Sequence, residues 1–119
     1  MLSLKQVLET LACFDLKQSD VKVYVFLAKK GPRTGKNLCE ALNMPKHQVY
    51  QCLRNLKSKS LVGAIPEHPA LFSAVSFERV LDLLVKAKLE EVKRAQQASE
   101  KTLLEWKHVT EEESNMERY

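Results

Sequence analysis

The chain has 119 residues, of which 45% are hydrophobic and 29% are charged, and its net charge is +4. This composition is typical of a small globular protein, and the absence of an apolar run of about 18 residues argues against a membrane span. The N-terminus also lacks the apolar stretch of a secretory signal. Residues 1–76 carry 11 basic and 5 acidic residues, whereas residues 77–119 carry 8 and 10. The N-terminal part is therefore the one suited to a polyanion.

Few residues suggest chemistry at a catalytic or metal site. The three cysteines, Cys13, Cys39 and Cys52, form no C-x-x-C pair and fall at apolar-periodic positions, which predicts small buried thiols. A redox-sensing thiol is the alternative. The histidines are isolated from one another, and neither a glycine-rich phosphate loop nor a Ser/His/Asp arrangement is present. The sequence therefore predicts no enzyme activity, no metal and no cofactor.

Two helices are predicted first. Apolar residues at helical spacing place one from about Leu2 to Cys13. Ser19 suits the N-cap of the second, because its hydroxyl can accept a backbone N–H of the first turn. Gly31-Pro32 ends that helix, since glycine adopts the left-handed conformation and proline cannot continue a helix.

The segment from Thr34 to Val62 reads as two short helices at a tight turn, followed by a strand. Thr34 suits the N-cap of a helix from Gly35 to about Leu42, after a short extended piece at Arg33. The next helix runs from Lys46 to about Lys59. Two strands then form a hairpin, with residues 61–65 and 71–75 on either side of a proline-rich turn.

From Phe77 to about Val109 the chain has no glycine or proline and is rich in helix formers, which predicts one long helix. An apolar-rich line steps along it by three and four residues and indicates a coiled coil that pairs two copies. A single helix lying back on its own domain is the alternative. Thr110 to Tyr119 is predicted to be a frayed acidic tail. The predicted seam residues are Leu81, Val85, Leu89, Val92, Gln96, Ser99, Leu103 and Trp106.

The helix from Lys46 carries side chains of the types that can read base edges in DNA. Arginine and lysine suit guanine in the major groove, and asparagine and glutamine suit adenine. The N-terminal residues of such a helix go deepest, so His47, Gln48 and Gln51 are predicted to contact base edges. The remaining predicted DNA contacts, chiefly to phosphates, are Arg33, Thr34, Lys36, Lys46, Tyr50, Arg54, Asn55, Lys57 and Lys59, together with the backbone N–H of Gly35.

Two motifs make the chain similar to a known family. K-V-Y at Lys22–Tyr24 is followed by L-x-x-x-G-P ending at Pro32, and P-x-x-x-V-Y-x-x-L-R-x-L-x-x-K-x-L-V spans Pro45–Val62. Over roughly residues 7–76 these resemble the N-terminal domain of archaeal TrmB-type transcriptional regulators. The resemblance implies a mainly α winged helix-turn-helix with a small β-hairpin, a homodimer, and double-stranded DNA as the partner. The expected location is cytoplasmic and nucleoid-associated.

The expected organisation is a winged helix-turn-helix domain (1–76), a long dimerising helix (77–110) and an acidic tail (111–119), without an effector domain. The chain departs from the family pattern at Asp15 and Ser60, where glycine is usual, and in the turn 66–70, which lacks basic residues. The leading interpretation is a homodimeric transcriptional regulator. The alternatives are a protein-interaction module and a small chromatin-associated protein with little sequence specificity.

Overall fold

The computed structural model describes the backbone of residues 4–117 and the side chains of residues 4–112. Contacts divide the chain into two compact units, Met1–Val85 and Lys86–Tyr119. The elements in chain order are α1 (Leu4–Ala12), α2 (Gln18–Lys30), β1 (Arg33–Thr34), α3 (Gly35–Leu42), α4 (Lys46–Ser58), β2 (Val62–Ile65), β3 (Leu71–Ala74) and α5 (Phe77–Glu117).

The helix α2 begins earlier than predicted. Its N-cap is Lys17 rather than Ser19, and the Asp20 carboxylate accepts the Lys17 backbone N–H at 3.1 Å. An acceptor at the third helical position satisfies one free donor of the helix start, so Asp20 fixes the boundary. The predicted start of α1 at Leu2 lies outside the described residues.

The tight turn between α3 and α4 is confirmed. Thr34 caps α3 by accepting the Asn37 backbone N–H at 3.1 Å. Asn43 ends the helix in the left-handed conformation, with φ 52° and ψ 48°. Pro45 is the N-cap of α4, where its missing N–H breaks no helical hydrogen bond. Local signals in the sequence therefore determine where α4 begins and how the turn from α3 orients it.

The predicted hairpin is present, and a third strand extends it. The sheet has the order β1-β3-β2 with both pairings antiparallel, and Val62 lies opposite Ala74 while Ile65 lies opposite Leu71. The extended piece at Arg33 is β1, and it pairs with Phe72 of β3. This pairing ties the start of α3 to the sheet.

The core of the first unit contains residues from α1 through the start of α5. Val80 and Leu84 of α5 are buried in it, at 1% and 4% exposure, so the unit extends beyond the predicted boundary at residue 76. The Tyr24 hydroxyl donates to the Val75 carbonyl oxygen at 2.5 Å, and burial raises the pKa of this tyrosine. The fully buried large side chains are Leu11, Val21, Val23, Leu27, Leu38, Val49, Leu56, Leu61 and Val80.

The cysteines differ in exposure. Cys52 is buried, as predicted, and desolvation raises the pKa of its thiol. Cys39 is half-buried. Cys13 is exposed, so the prediction of a buried thiol is wrong there. It follows the last residue of α1, where the 3.6-residue periodicity that suggested burial no longer applies.

Two residues that stand where the family usually has glycine adopt left-handed backbone. Asp15 has φ 65° and Ser60 has φ 63°. Each lies just after a helix, in the position that glycine occupies at least cost.

The helix α5 continues past Thr110 to Glu117, where the sequence predicted a frayed tail from residue 110. The physical reason is that residues 77–117 contain no glycine or proline, and glutamate is a good helix former. Residues 118–119 lie outside the described part. Within the described residues, no helix is long and apolar enough to cross a membrane. The first unit, with its helices and small antiparallel sheet, is a winged helix, whose wing is the turn 66–70 between β2 and β3.

Candidate nucleic-acid interface

The helix α4 has one buried side and one exposed side. Val49, Leu53 and Leu56 are at most 3% exposed and anchor the helix in the core. At 100° per residue, the residues pointing away from this stripe recur at positions 47, 51, 54 and 58. These form the outer face of α4: His47, Gln51, Arg54 and Ser58, all exposed. The sequence prediction did not include Ser58, although its spacing from Arg54 signals the same side.

Asn55 has a partner within the protein. Its side-chain amide donates to the Asp20 carboxylate at 2.7 Å. Asp20 is 2% exposed and also accepts the Lys17 backbone N–H, so one buried carboxylate joins the start of α2 to the middle of α4. The contact of Asn55 with DNA stays a prediction. In the structure its amide is hydrogen-bonded within the protein.

A groove of about 420 Å³ lies between the start of α2 and α4. Gln48 is half-buried on this side, whereas Gln51 reaches both the groove and the outer face. The glutamine predicted to enter deepest is therefore the less accessible of the two. The groove is lined by Asp15, Lys17, Ser19, Asp20, Gln48, Gln51, Cys52 and Asn55.

The opposite flank of α4 packs on α3 and the sheet through Tyr50. The tyrosine is half-buried, and its ring meets Phe72 edge-on with centroids 6.3 Å apart. Its hydroxyl lies against Gly35, where a Cβ would come within 2.6 Å of the Tyr50 Cζ atom. The Lys46 ammonium lies 6.0 Å from the ring centroid. Only glycine leaves room for the ring at the start of α3.

The predicted phosphate contacts surround this flank. Lys36, Lys46 and Lys57 are exposed, and Lys59 is half-buried. The half-buried Arg33 donates to the Pro32 carbonyl oxygen at 2.8 Å. A groove of about 370 Å³ is lined by Lys36, Cys39, Glu40, Lys46 and Tyr50. Glu40 is the one acidic residue in the sequence between positions 33 and 60, so positive charge dominates here.

The wing is exposed along its whole length and carries Glu67 and His68 but no lysine or arginine. Its side chains therefore provide no fixed positive charge for a phosphate. Among the described residues, no group of three histidine, cysteine or acidic side chains is arranged to hold a metal ion.

The first predicted seam residue of α5 is partly buried, and the later ones are exposed. Leu81 is half-buried and packs against the core of the first unit. Further along, apolar seam residues are more than two-fifths exposed, and Gln96 and Ser99 are exposed between them. Between residues 85 and 112 of α5, the exposed large apolar side chains are Val85 (46%), Leu89 (63%), Val92 (53%), Leu103 (54%), Leu104 (66%), Trp106 (62%) and Val109 (45%).

Comparison with protein families gives one match. The family model described as the sugar-specific transcriptional regulator TrmB matches residues 11–78, which is more than half of the chain. No curated protein sequence matches.

Solved structures share the fold. The archaeal chromatin protein TrmBL2, whose structure is described as showing a novel mode of DNA binding, has 25% identity and a TM-score of 0.77. The match covers 90% of this chain and 42% of TrmBL2, so the chain spans about two-fifths of that protein's length. A possible transcriptional regulator from Methanosarcina mazei has 13% identity and a TM-score of 0.61, over 80% of this chain and 87% of that one. The transcriptional regulator Tm0710 from Thermotoga maritima has 16% identity and a TM-score of 0.55, over 92% and 82%.

Proposed function

Because the chain belongs to the family of the transcriptional regulator TrmB, we propose that it binds double-stranded DNA as a homodimer and regulates transcription from the nucleoid. The observation that carries this proposal is the outer face of α4. It presents an imidazole, an amide, a guanidinium and a hydroxyl to solvent on a helix whose other side is anchored in the core. A helix of this kind fits the major groove.

The outer face provides the contacts that distinguish bases. Gln51 offers a donor and an acceptor that match adenine. We place Arg54, which the sequence predicted as a phosphate contact, on a base edge instead, because it shares the outer face with Gln51 and its paired donors match guanine. His47 lies in the first turn of α4, which enters the groove deepest. Gln48 and Asn55 are given supporting roles, because the first is half-buried and the second is bonded to Asp20.

Phosphates are held on the flank around Tyr50. Lys36 and Lys46 line one groove with the tyrosine, and Lys57 is exposed further along α4. Lys59 and Arg33 are half-buried and are proposed as further phosphate contacts. The start of α3, capped by Thr34, adds backbone N–H groups and the positive end of a helix dipole. These contacts give affinity and register rather than sequence discrimination.

The homodimer is proposed to form through α5. Its seam residues from Leu89 to Trp106 leave apolar side chains exposed on a helix, in a pattern that alternates steps of three and four residues. Such a stripe is stabilised by burial against a second helix. A second copy of the chain doubles the number of reading helices and raises affinity without new contacts.

Binding to duplex DNA at increasing salt tests the proposal. We expect Arg54→Ala to weaken binding by about 1–3 kcal/mol and to relax preference at one base pair, and Gln51→Ala to relax it at another. The wild type is expected to lose affinity steeply with salt, because each phosphate contact releases a counterion. Fluorescence anisotropy with labelled duplexes measures all of these effects.

Lys101→Ala is the control, since it removes the same charge from an exposed position of α5 outside the winged helix. It is expected to leave base preference unchanged. If the wild type does not bind DNA even at low salt, the proposal is wrong. A winged-helix module for protein partners is then favoured. If Gln51→Ala and Arg54→Ala keep both affinity and preference, DNA is bound by a different surface.

The similarity to TrmBL2 favours a second candidate, a chromatin-associated protein with little sequence specificity. The same basic flank supports it, because phosphate contacts do not depend on sequence. Selection of bound duplexes from a random pool with the purified protein separates the two. Enrichment of one motif supports the specific regulator, and binding without enrichment supports the chromatin protein.

A further inference from the structure

The seam residues of α5 that lie in the second unit are partly apolar and partly polar. Leu89, Val92, Leu103 and Trp106 are apolar, and Gln96 and Ser99 interrupt them at the middle. All six are exposed on one continuous helix. Any second helix that covers them must accommodate two polar residues at the centre and a tryptophan toward one end. This requirement restricts how two copies can pair.

Resting on the proposed homodimer, we infer that the two α5 helices pair antiparallel, with Gln96 of each copy opposite Ser99 of the other. In this register Val92 lies opposite Leu103 of the partner subunit, and Leu89 lies opposite Trp106 of the partner subunit. Sliding either helix by seven residues places polar seam residues against apolar ones. Among the antiparallel registers, the central one alone matches polar with polar and apolar with apolar.

Side-chain volume favours this direction over the parallel one. A parallel pair stacks each residue on its own copy, so a Ser99 layer and a Trp106 layer lie seven residues apart, about 10 Å along the axis. Helix separation depends on the side chains at the contact, and a layer of two serines and a layer of two tryptophans require different separations. Between residues 89 and 106, the antiparallel register gives every layer one larger and one smaller side chain, which permits an even separation.

Charge supports the same direction. The exposed Lys93 and Glu100 flank the seam, and the antiparallel register places each beside the other on the partner helix. The attraction of the two Lys93–Glu100 pairs between subunits offsets the repulsion of two contacts between Lys86 and Lys107. A parallel pair instead brings Lys88, whose ammonium lies 3.4 Å from the Glu91 carboxylate of its own helix, close to Lys93 of the partner subunit. It provides no flanking pair of opposite charge between the two helices. Such contacts are weak individually, but they have a definite sign.

Distances between spin labels in the full chain test the direction. The native cysteines are replaced by Cys13→Ser, Cys39→Ser and Cys52→Ala, and one label is attached through either Ala98→Cys or His108→Cys. Residue 98 lies near the centre of the pair and gives a short distance in both directions. Residue 108 gives a displacement along the axis of about 30 Å if the helices are antiparallel and none if they are parallel.

A long distance at 108 with a short one at 98 supports the inference. Short distances at both positions overturn the antiparallel direction and leave the homodimer intact. If neither position shows a distance between subunits, both the inference and pairing through α5 are wrong. DNA binding is measured separately, so its outcome does not affect this result.

A charge exchange with the native cysteines in place gives an independent test. Lys93→Glu is expected to raise the dimer dissociation constant about three- to tenfold, because it faces Glu100 of the partner subunit. The double variant Lys93→Glu/Glu100→Lys is expected to return to the wild-type value. Parallel pairing predicts the opposite sign, since Glu at 93 would meet Lys88 and tighten the dimer. Sedimentation equilibrium measures the constant, and tightening by Lys93→Glu overturns the inference.

Discussion

The hydrogen bond from Asn55 to Asp20 connects elements that are far apart in the sequence. Asp20 is almost completely buried, and its carboxylate receives one donor from the start of α2 and one from α4. A buried carboxylate needs such donors, because burial without them costs several kcal/mol. The orientation of α4 on α2 therefore depends on this pair of side chains.

Asn55→Ala is expected to lower the free energy of unfolding by about 1.5–3 kcal/mol, because the buried Asp20 carboxylate loses one of its hydrogen-bond donors. Urea denaturation measures the change. Gln51→Ala is a suitable control, since it removes an exposed amide from the same helix and should change stability by less than about 0.5 kcal/mol. An equal cost for the two substitutions would contradict a supporting role for Asn55.

Ser60 adopts a backbone conformation that glycine adopts more readily, with φ 63°. Ser60→Gly is expected to raise the free energy of unfolding by about 0.5–1 kcal/mol, because relief of the left-handed strain outweighs the added freedom of the unfolded chain. The exposed Ala28 of α2 is a control with the opposite sign, and Ala28→Gly should cost about 1 kcal/mol. In thermal unfolding, the midpoint temperature is expected to rise for Ser60→Gly and to fall for Ala28→Gly.

Whether the structural role of a residue could be predicted from the sequence depends on how far along the chain its partner lies. Thr34 and Asn43 act within their own turn, and both predictions were confirmed. Asn55 is bonded to a residue 35 positions away, and no periodicity indicates such a pair. The propensity of Ser19 predicts it as the N-cap of α2, but the carboxylate of Asp20 determines the start of the helix instead.

At the scale of elements, the contact between α3 and α4 depends on a missing side chain. Gly35 has an ordinary backbone, and its role is to leave space for the Tyr50 ring. The ring is held on its other side by Phe72. The start of α3 and the middle of α4 are thereby kept at a close separation, with Lys36 and Lys46 on the same groove.

Gly35→Ala is expected to cost about 1–3 kcal/mol of stability, because the added methyl group displaces the Tyr50 ring in a packed contact. It should also weaken DNA binding by shifting the phosphate contacts of the proposed interface. Tyr50→Phe removes the hydroxyl that lies nearest to Gly35, so the double variant is expected to lose less than the two single variants together. Full additivity in urea denaturation would show that the ring and the glycine do not act on each other.

Elements with strong local patterns were predicted well, and those defined by pairing were not. The helices α3 and α4 and the β2–β3 hairpin follow from caps, turn residues and apolar spacing. The strand β1 has two residues and exists because it pairs with β3, so only an extended piece at Arg33 could be predicted from the sequence. The exposed side of α4 could be placed by periodicity, whereas the groove beside it required the position of α2.

At the scale of the whole molecule, the exposed seam residues of α5 predict that DNA affinity depends on the association of two copies of the chain. Leu103→Asp is expected to convert the dimer to a monomer by placing a charge in the seam. Loss of the second reading helix should then weaken DNA binding by a factor of about 100 or more. Light scattering and anisotropy on the same samples measure the two effects.

Leu104 provides the matched control for this prediction. It is the next residue, it is exposed to a similar extent, and it lies outside the seam. Leu104→Asp is expected to leave both association and DNA affinity close to wild type. If the two aspartate variants behave alike, the line from Leu89 to Trp106 is not the dimer contact.

The position of Trp106 gives the protein a natural optical reporter. It is the single tryptophan of the chain, it belongs to the second unit, and its side chain is 62% exposed. Emission from an indole in water lies at longer wavelength than emission from one covered by apolar side chains. Dilution of the unlabelled protein should therefore shift its tryptophan emission to the red as subunits separate. The same signal should be insensitive to events confined to the first unit, whose aromatic residues are tyrosine and phenylalanine.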